Sequence, residues 1–341
     1  MKIKIWILAV ISPFLISAQH LSPVDYYISA YNEIAPMLSG KKTVSIKRAV
    51  YLSEWAYYEG DLDYKLEFCD EIDRIVKFIE RFYDANELHN YRTGKQMALN
   101  EYFFRPYSGN GYKPYLYDYE NFFKENENWE NQFVSKVLNT HKGQCHSLPM
   151  LYKILANEIG ANVAISKAPG HSYIMYKDLD KQTPEEWINL ELTSHQMIPS
   201  FWIKENSEIN DSAVIVGTYM TPLTDKQTVA CQLSDLAFGY YKKFGIYDEF
   251  TLLCTTKSLE YYPQNPNAII IRGKSLEMLI RYRLMENGNV VDSYVQELNK
   301  QIEETYNALD NTYWTQGSED LRLRMQEQAK DAERYINGNL K

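Results

Sequence analysis

A cysteine at the start of a predicted helix is the residue of this sequence best suited to chemistry. Cys145 lies three residues before Leu148, where a helical pattern of apolar residues begins that ends at Gly160. The positive end of a helix dipole and the unpaired N–H groups of a first turn favour the thiolate, which is the nucleophilic form. The same N–H groups can hold the oxyanion formed when a thiolate attacks a carbonyl. Cys145 is therefore a candidate nucleophile, and a purely structural role is the alternative.

A histidine and a carboxylate follow on two predicted strands. His171 opens the strand 171–176, and Glu191 lies on the strand 187–193. A cysteine nucleophile needs an imidazole as base and then acid, and the imidazole needs an acceptor that fixes its tautomer. Adjacent antiparallel strands would bring His171 and Glu191 within side-chain reach.

Zinc binding is the competing chemistry for the same region. His141, Cys145 and His146 are close in sequence, but their spacing matches no established tetrahedral pattern and offers no clear fourth ligand. No metal site is therefore predicted. His195 follows Glu191 by four residues and is compatible with a place in the cleft or an exposed position.

Three motifs between residues 131 and 193 form a recognisable order: Gly143-Gln144-Cys145 before a helix, His171 at the start of a strand, and the run Trp187-Ile188-Asn189-Leu190-Glu191-Leu192-Thr193. This order resembles the transglutaminase-like superfamily of papain-type fold. It is most similar to bacterial branches that have a helical N-terminal region and TPR-like helices behind the core.

The resemblance implies Cys145 as nucleophile, His171 as general base and acid, and Glu191 as the carboxylate that orients the imidazole. The superfamily usually has Asp at the third position, so the longer Glu leaves the contact with histidine open. Gln144 is a candidate oxyanion contributor through its backbone or side chain. The resemblance to papain-type enzymes, in which an Asn orients the imidazole, makes Asn189, two residues before Glu191 on the same face, an alternative acceptor. Trp187 completes the supporting residues.

The elements around these motifs predict a mainly helical α+β protein. Helical periodicity runs from Ser22 to about Phe104 and resumes from about Thr228, and a small antiparallel sheet lies between. We predict a signal peptide at residues 1–18, a helical region at 19–128, the transglutaminase-like core at 129–222 and TPR-like helices at 223–341. The Tyr-rich segment 106–119 is compatible with a cleft wall or with an ordinary packed loop.

The N-terminal segment has the order of a secretory signal. Lys2 and Lys4 precede the apolar run 5–18, and Ser17-Ala18 offers small residues for cleavage. This run is shorter than the ~20 apolar residues that a membrane span needs. We expect cleavage after about Ala18, a periplasmic or extracellular location and no stable membrane insertion.

The C-terminal helices resemble one TPR hairpin with its turn near Gly245. In that hairpin Cys231 and Cys254 would be too far apart for a disulfide, and both are interpreted as buried helix residues. Cys69 has the same interpretation.

Two classes of function remain open from the sequence. The first is an exported cysteine hydrolase or acyl-transferase that acts on amide bonds of a peptide or protein substrate and needs no cofactor. The second is a catalytically inactive scaffold whose TPR-like helices bind a protein or peptide partner. The net charge of -9 argues against a nucleic-acid binder, which needs a basic surface.

Overall fold

The computed structural model describes residues 21–122 and 128–315, together with residues 317, 318, 320, 321, 323, 324, 327, 330, 331 and 334. The chain is 61% helical with small sheets, which confirms the predicted α+β class. The predicted signal peptide, residues 1–18, lies outside the described residues. Within the described ranges, no helix is both long and apolar enough to cross a membrane.

The helices follow local signals in the sequence. The first helix begins after the predicted N-cap Ser22, whose hydroxyl donates to Asp25 Oδ2 at 2.7 Å. Short π-helical and 3-10 turns fill the connections, including Tyr64–Cys69. The α-helices are α1 Pro23–Leu38, α2 Ile46–Tyr57, α3 Asp70–Ala85, α4 Gly94–Phe104, α5 Tyr119–Phe122, α6 Val134–Thr140, α7 Ser147–Glu158, α8 Ser200–Asn206, α9 Asp211–Ile215, α10 Asp225–Phe244, α11 Glu249–Leu259, α12 Pro266–Glu286 and α13 Ser293–Asn311.

Two small sheets lie between the helical parts. The first is a parallel pair of short strands, and the second is a four-stranded antiparallel sheet in which strands consecutive in the chain are neighbours. The central pairing aligns Ile174 with Leu190, as the alternation of apolar residues predicts. The strands are β1 Leu116–Tyr117, β2 Lys142–Gly143, β3 Ala164–Ala168, β4 His171–Lys177, β5 Trp187–Glu191 and β6 Gln196–Ile198.

The four-stranded sheet is covered on both faces. Ile174, Ile188 and Leu190 belong to the main core with α7 and the flanking helices. Tyr173 and Met175 point to the opposite face and pack in a second, smaller core with residues that follow β6. Burial on both faces fixes the strand register, because a slip of one residue would exchange the two faces.

The predicted C-terminal hairpin is present. α10 ends at Gly245, whose φ of +72° suits glycine, and α11 returns along it. Cys231 and Cys254 are buried free cysteines, and Cys69 is a half-buried one. The assignment of this hairpin to the TPR type stays a prediction.

Gly143 allows β2 to approach the first turn of α7 closely. A Cβ atom at this position would lie 2.7 Å from Val137 Cγ2, 2.9 Å from Ser147 Oγ and 3.0 Å from Leu148 Cγ. These separations are below any ordinary van der Waals contact. The residue two positions before Cys145 is therefore small because the backbone there packs directly on two helices.

We expect Gly143→Ala to lower the free energy of unfolding by about 1–3 kcal/mol, the usual cost of overpacking. Val137→Ala removes the nearest obstructing atom, so the double variant should be more stable than the sum of the two single losses predicts, by about 0.5–3 kcal/mol. Urea denaturation of the four proteins measures this coupling. Strict additivity would show that the two side chains do not compete for the same space.

Candidate active site

Cys145 lies in the turn between β2 and α7, two residues before the helix begins. Its side chain is half-buried, and Sγ lies 3.9 Å from the carbonyl oxygen of Gly170 at the start of β4. The helical ladder begins only with Leu148, whose N–H donates to Gln144 O at 3.0 Å. Among the described contacts, the N–H of Cys145 has no acceptor in the protein. This donor is therefore available to an oxyanion next to the thiol.

His171 lies between the cysteine and the carboxylate. Its Nε2 is 2.5 Å from Glu191 Oε2, and the Cys145 side chain is near enough to the ring to raise the pKa of His171. Since Nε2 is occupied by the carboxylate, Nδ1 is the ring nitrogen left for the thiol. The imidazole thus lies between a thiol and a carboxylate, an arrangement compatible with acid–base transfer to and from the thiol.

Thr193 holds the second oxygen of Glu191. Its backbone N–H and its hydroxyl donate to Glu191 Oε1 at 2.9 and 2.7 Å. Both carboxylate oxygens of Glu191 therefore accept hydrogen bonds, and the group cannot rotate freely. The sequence motif ended at Thr193 without giving it a role, because a turn that folds back on its own strand leaves no periodic signal.

For His171 and Glu191, burial and the attraction between their charges shift the pKa values in opposite directions. Burial alone would lower the pKa of His171, but the charge of Glu191 and the hydrogen bonds to Cys145 and Glu191 raise it well above its ordinary 6.5. Burial alone would raise the pKa of Glu191, but the His171 charge and the Thr193 hydrogen bonds bring it below its ordinary 4.5. At neutral pH the imidazole is therefore a cation and the carboxyl an anion.

Two of the supporting residues lie away from the imidazole. The Asn189 amide donates to Ile198 O at 3.1 Å and to Ser200 Oγ at 2.9 Å, so it ties β5 to β6 and α8. Trp187 lies at the far end of β5, where Lys177 Nζ is 5.4 Å from its ring. In the described contacts Glu191, rather than Asn189, is the acceptor for His171.

Gln144 is fully buried beside Cys145. Its backbone N–H donates to Ser147 Oγ at 3.0 Å, and its Nε2 donates to Asp118 O at 2.9 Å. The side chain thus connects the cysteine turn to the segment before α5. Its position favours holding the turn in place, and the backbone N–H of Cys145 is the donor better placed for an oxyanion.

The histidines of the zinc alternative face different partners. His141 Nδ1 lies 2.6 Å from Lys113 O, and His146 Nε2 lies 3.3 Å from Asp235 Oδ2 on α10. In the described part of the chain, no group of three or more His, Cys, Asp or Glu side chains could hold a metal ion.

The charge of Glu191 should set the titration of His171. We expect Glu191→Gln, which keeps the size of the side chain and removes its charge, to lower the pKa of His171 from well above 6.5 because burial then acts with less opposition. Imidazole NMR resonances followed against pH, with the His171 signal assigned by its loss in His171→Gln, measure the effect.

Glu186→Gln is the control, because Glu186 is an exposed carboxylate that pairs with Lys177 at 2.9 Å before the same strand. Its removal should leave the His171 titration unchanged. An unchanged titration in Glu191→Gln would contradict the electrostatic role given to this carboxylate.

Part of the chain is similar to a known protein family. Residues 67–194, just over a third of the chain, match the family model described as the transglutaminase-like superfamily. No curated protein and no solved structure matches the chain. The matched range contains Cys145, His171 and Glu191 and begins within the helices predicted to precede the core. It does not test the bacterial branch or the TPR-like helices. The resemblance is confirmed at the level of the superfamily: residues 67–194 carry a transglutaminase-like domain.

Proposed function

We propose that this protein is a cysteine hydrolase or acyl-transferase that acts on amide bonds of peptides or proteins. Cys145 is the nucleophile, His171 the general base and acid, and Glu191 the carboxylate that orients the imidazole. The observation that carries the proposal is the position of His171, whose Nε2 lies 2.5 Å from Glu191 Oε2 and whose pKa is raised in part by the nearby Cys145 side chain. The transglutaminase-like domain supports the same chemistry.

The first half of the reaction releases an amine. The Cys145 thiolate attacks the amide carbonyl, and a carbon–sulfur bond forms while the carbonyl oxygen becomes an oxyanion beside the Cys145 N–H. The imidazolium of His171 donates its proton to the leaving nitrogen, and the carbon–nitrogen bond breaks. Ammonia or an amine leaves, and a thioester remains on Cys145.

The second half decides between hydrolysis and transfer. His171, now neutral, takes a proton from water or from a second amine, which attacks the thioester carbonyl. The carbon–sulfur bond breaks, and the product is an acid or a new amide. Glu191 stabilises the imidazolium formed in this step by its charge. Apart from the substrate and the attacking water or amine, the groups named in both halves of the reaction belong to this chain.

The location and the partners belong to the same proposal. The basic residues and the apolar run of residues 1–18 support export, so peptides outside the cytoplasm are the substrates we favour. The C-terminal hairpin of α10 and α11 offers a surface for a protein partner.

Alkylation of the four cysteines tests the nucleophile. Iodoacetamide labelling against pH, followed by peptide mass spectrometry, should show that Cys145 reacts fastest and that His171→Ala slows it by at least about tenfold below pH ~8.5, where an isolated thiol is mostly protonated. The effect arises because an imidazolium beside the sulfur stabilises the thiolate.

The other three cysteines are internal controls. Burial raises the pKa of Cys231 to about 12 and that of Cys254 well above its ordinary value, so both should resist labelling while the protein is folded. Cys69 is half-buried and should label at a rate that His171→Ala does not change. A Cys145 that labels like Cys69 would refute the proposed activation.

Turnover separates the enzyme from the scaffold. Peptide amides, with and without an added primary amine, should give an acid or a new amide, and Cys145→Ala should reduce the rate by about 10²–10⁴ or more. Cys145→Ser keeps the shape of the site as a matched variant. If Cys145→Ala keeps the full biological effect, the non-catalytic scaffold is the correct function.

A further inference from the structure

The segment of residues 115–119, which we name the strap, is held by the residues that precede the nucleophile. Within it β1 pairs in parallel with β2, so that Tyr117 lies beside Gly143. The N–H of Asp118 donates to Gly143 O at 2.9 Å, and Gln144 Nε2 donates to Asp118 O at 2.9 Å. The strap therefore binds the two residues directly before Cys145.

The same strap is held by the turn that follows the carboxylate. The Tyr119 hydroxyl donates to Thr193 O at 3.3 Å, and His195 Nε2 donates to Tyr115 O at 2.8 Å. Thr193 is the residue that holds Glu191 Oε1 with two donors. The strap thus joins both arms of the site, one ending in the thiol and the other in the carboxylate.

The backbone conformation of His195 does not require a histidine, but the imidazole makes two specific contacts. Its φ is +58°, a conformation in which asparagine would be as suitable as histidine. The imidazole is stacked on Phe104 with ring centres 4.5 Å apart, and burial lowers its pKa, so the ring is neutral. A neutral ring with its proton on Nε2 is the form that can donate to Tyr115 O.

We propose that His195 is a positioning residue, which fixes the Glu191–Thr193 turn to the strap and so holds the carboxylate in register with His171 and Cys145. The purpose given to His195 rests on the proposed function, whereas the evidence for its position is a separate set of contacts. The reason for the device is geometric, because a misplacement of about 1 Å in a catalytic group can cost about 10²-fold in rate.

Two substitutions of His195 separate positioning from stability. His195→Asn suits the left-handed backbone but is too short to reach Tyr115 O, whereas His195→Gln places an amide nitrogen near the position of Nε2 on a less suitable backbone. We expect His195→Asn to lower the NMR pKa of His171 by roughly 1 pH unit, the spread that environment produces in folded proteins. His195→Gln should restore the titration, even where its melting temperature is the lower of the two.

A tyrosine pair repeats the test in a milder form. Tyr119→Phe removes the hydroxyl that reaches Thr193 O, and Tyr51→Phe removes a hydroxyl that donates to Leu62 O at 2.8 Å away from the site. Tyr119→Phe should lower the His171 pKa, and Tyr51→Phe should lower only the melting temperature. This pair decides the question if His195 variants do not fold.

The outcomes separate this inference from the proposed function. Folded His195→Asn and Tyr119→Phe with the wild-type titration of His171 would overturn the positioning role. A shifted titration in these variants, in a protein whose Cys145 is not selectively alkylated, would keep the positioning role and refute the proposed chemistry. Selective alkylation of Cys145 together with an unchanged titration of His171 in these variants would support the proposed chemistry and overturn the positioning role.

Discussion

The arrangement around Cys145 depends on keeping an imidazolium and a carboxylate together with little water around them. Only 15% of the His171 side chain and 18% of the Glu191 side chain are exposed, so each charge loses most of its solvation. Their 2.5 Å contact and the two donors of Thr193 replace that solvation. Separating the partners would leave a poorly solvated charge, at a cost of about 3–5 kcal/mol. The sheet, the strap and α7 must therefore hold their positions closely.

Helices that precede and follow the transglutaminase-like domain in the sequence support these positions. Tyr27 of α1 packs edge-on against Tyr240 of α10 at 5.3 Å, and one continuous core includes both. Glu54 of α2 accepts the N–H groups of Val134 and Ser135 at 2.6 and 2.9 Å, which satisfies the first turn of α6. Burial raises the pKa of Glu54 to about 7 against these hydrogen bonds. The N-terminal and C-terminal helices thus share one interior with α6, the helix that precedes Cys145.

The elements of the site could be predicted because each has a local signal. Apolar spacing gives α7, Gly160 with φ of +67° ends it, and alternation gives β4 and β5. The strap could not be predicted, since its pairing joins Tyr117 to Gly143 through two-residue strands with no periodicity. Thr193 contacts Glu191 within a single turn that has no periodic signal, and His195 contacts Tyr115 in a distant segment, so composition and spacing encode neither role. The Tyr-rich segment was recognised only as a loop or a wall.

The register of β4 and β5 explains why a glutamate side chain at position 191 reaches His171. Ile174 lies opposite Leu190, and continuing this register by one step would set Glu191 opposite Tyr173, two residues from His171. A diagonal pair of this kind has Cα atoms about 7–8 Å apart, farther than a directly opposed pair. The extra methylene of Glu spans this diagonal and still leaves Oε1 within reach of Thr193. An aspartate in the same register would have to give up one of the two contacts. The length of the side chain at position 191 therefore matches the register of its strand.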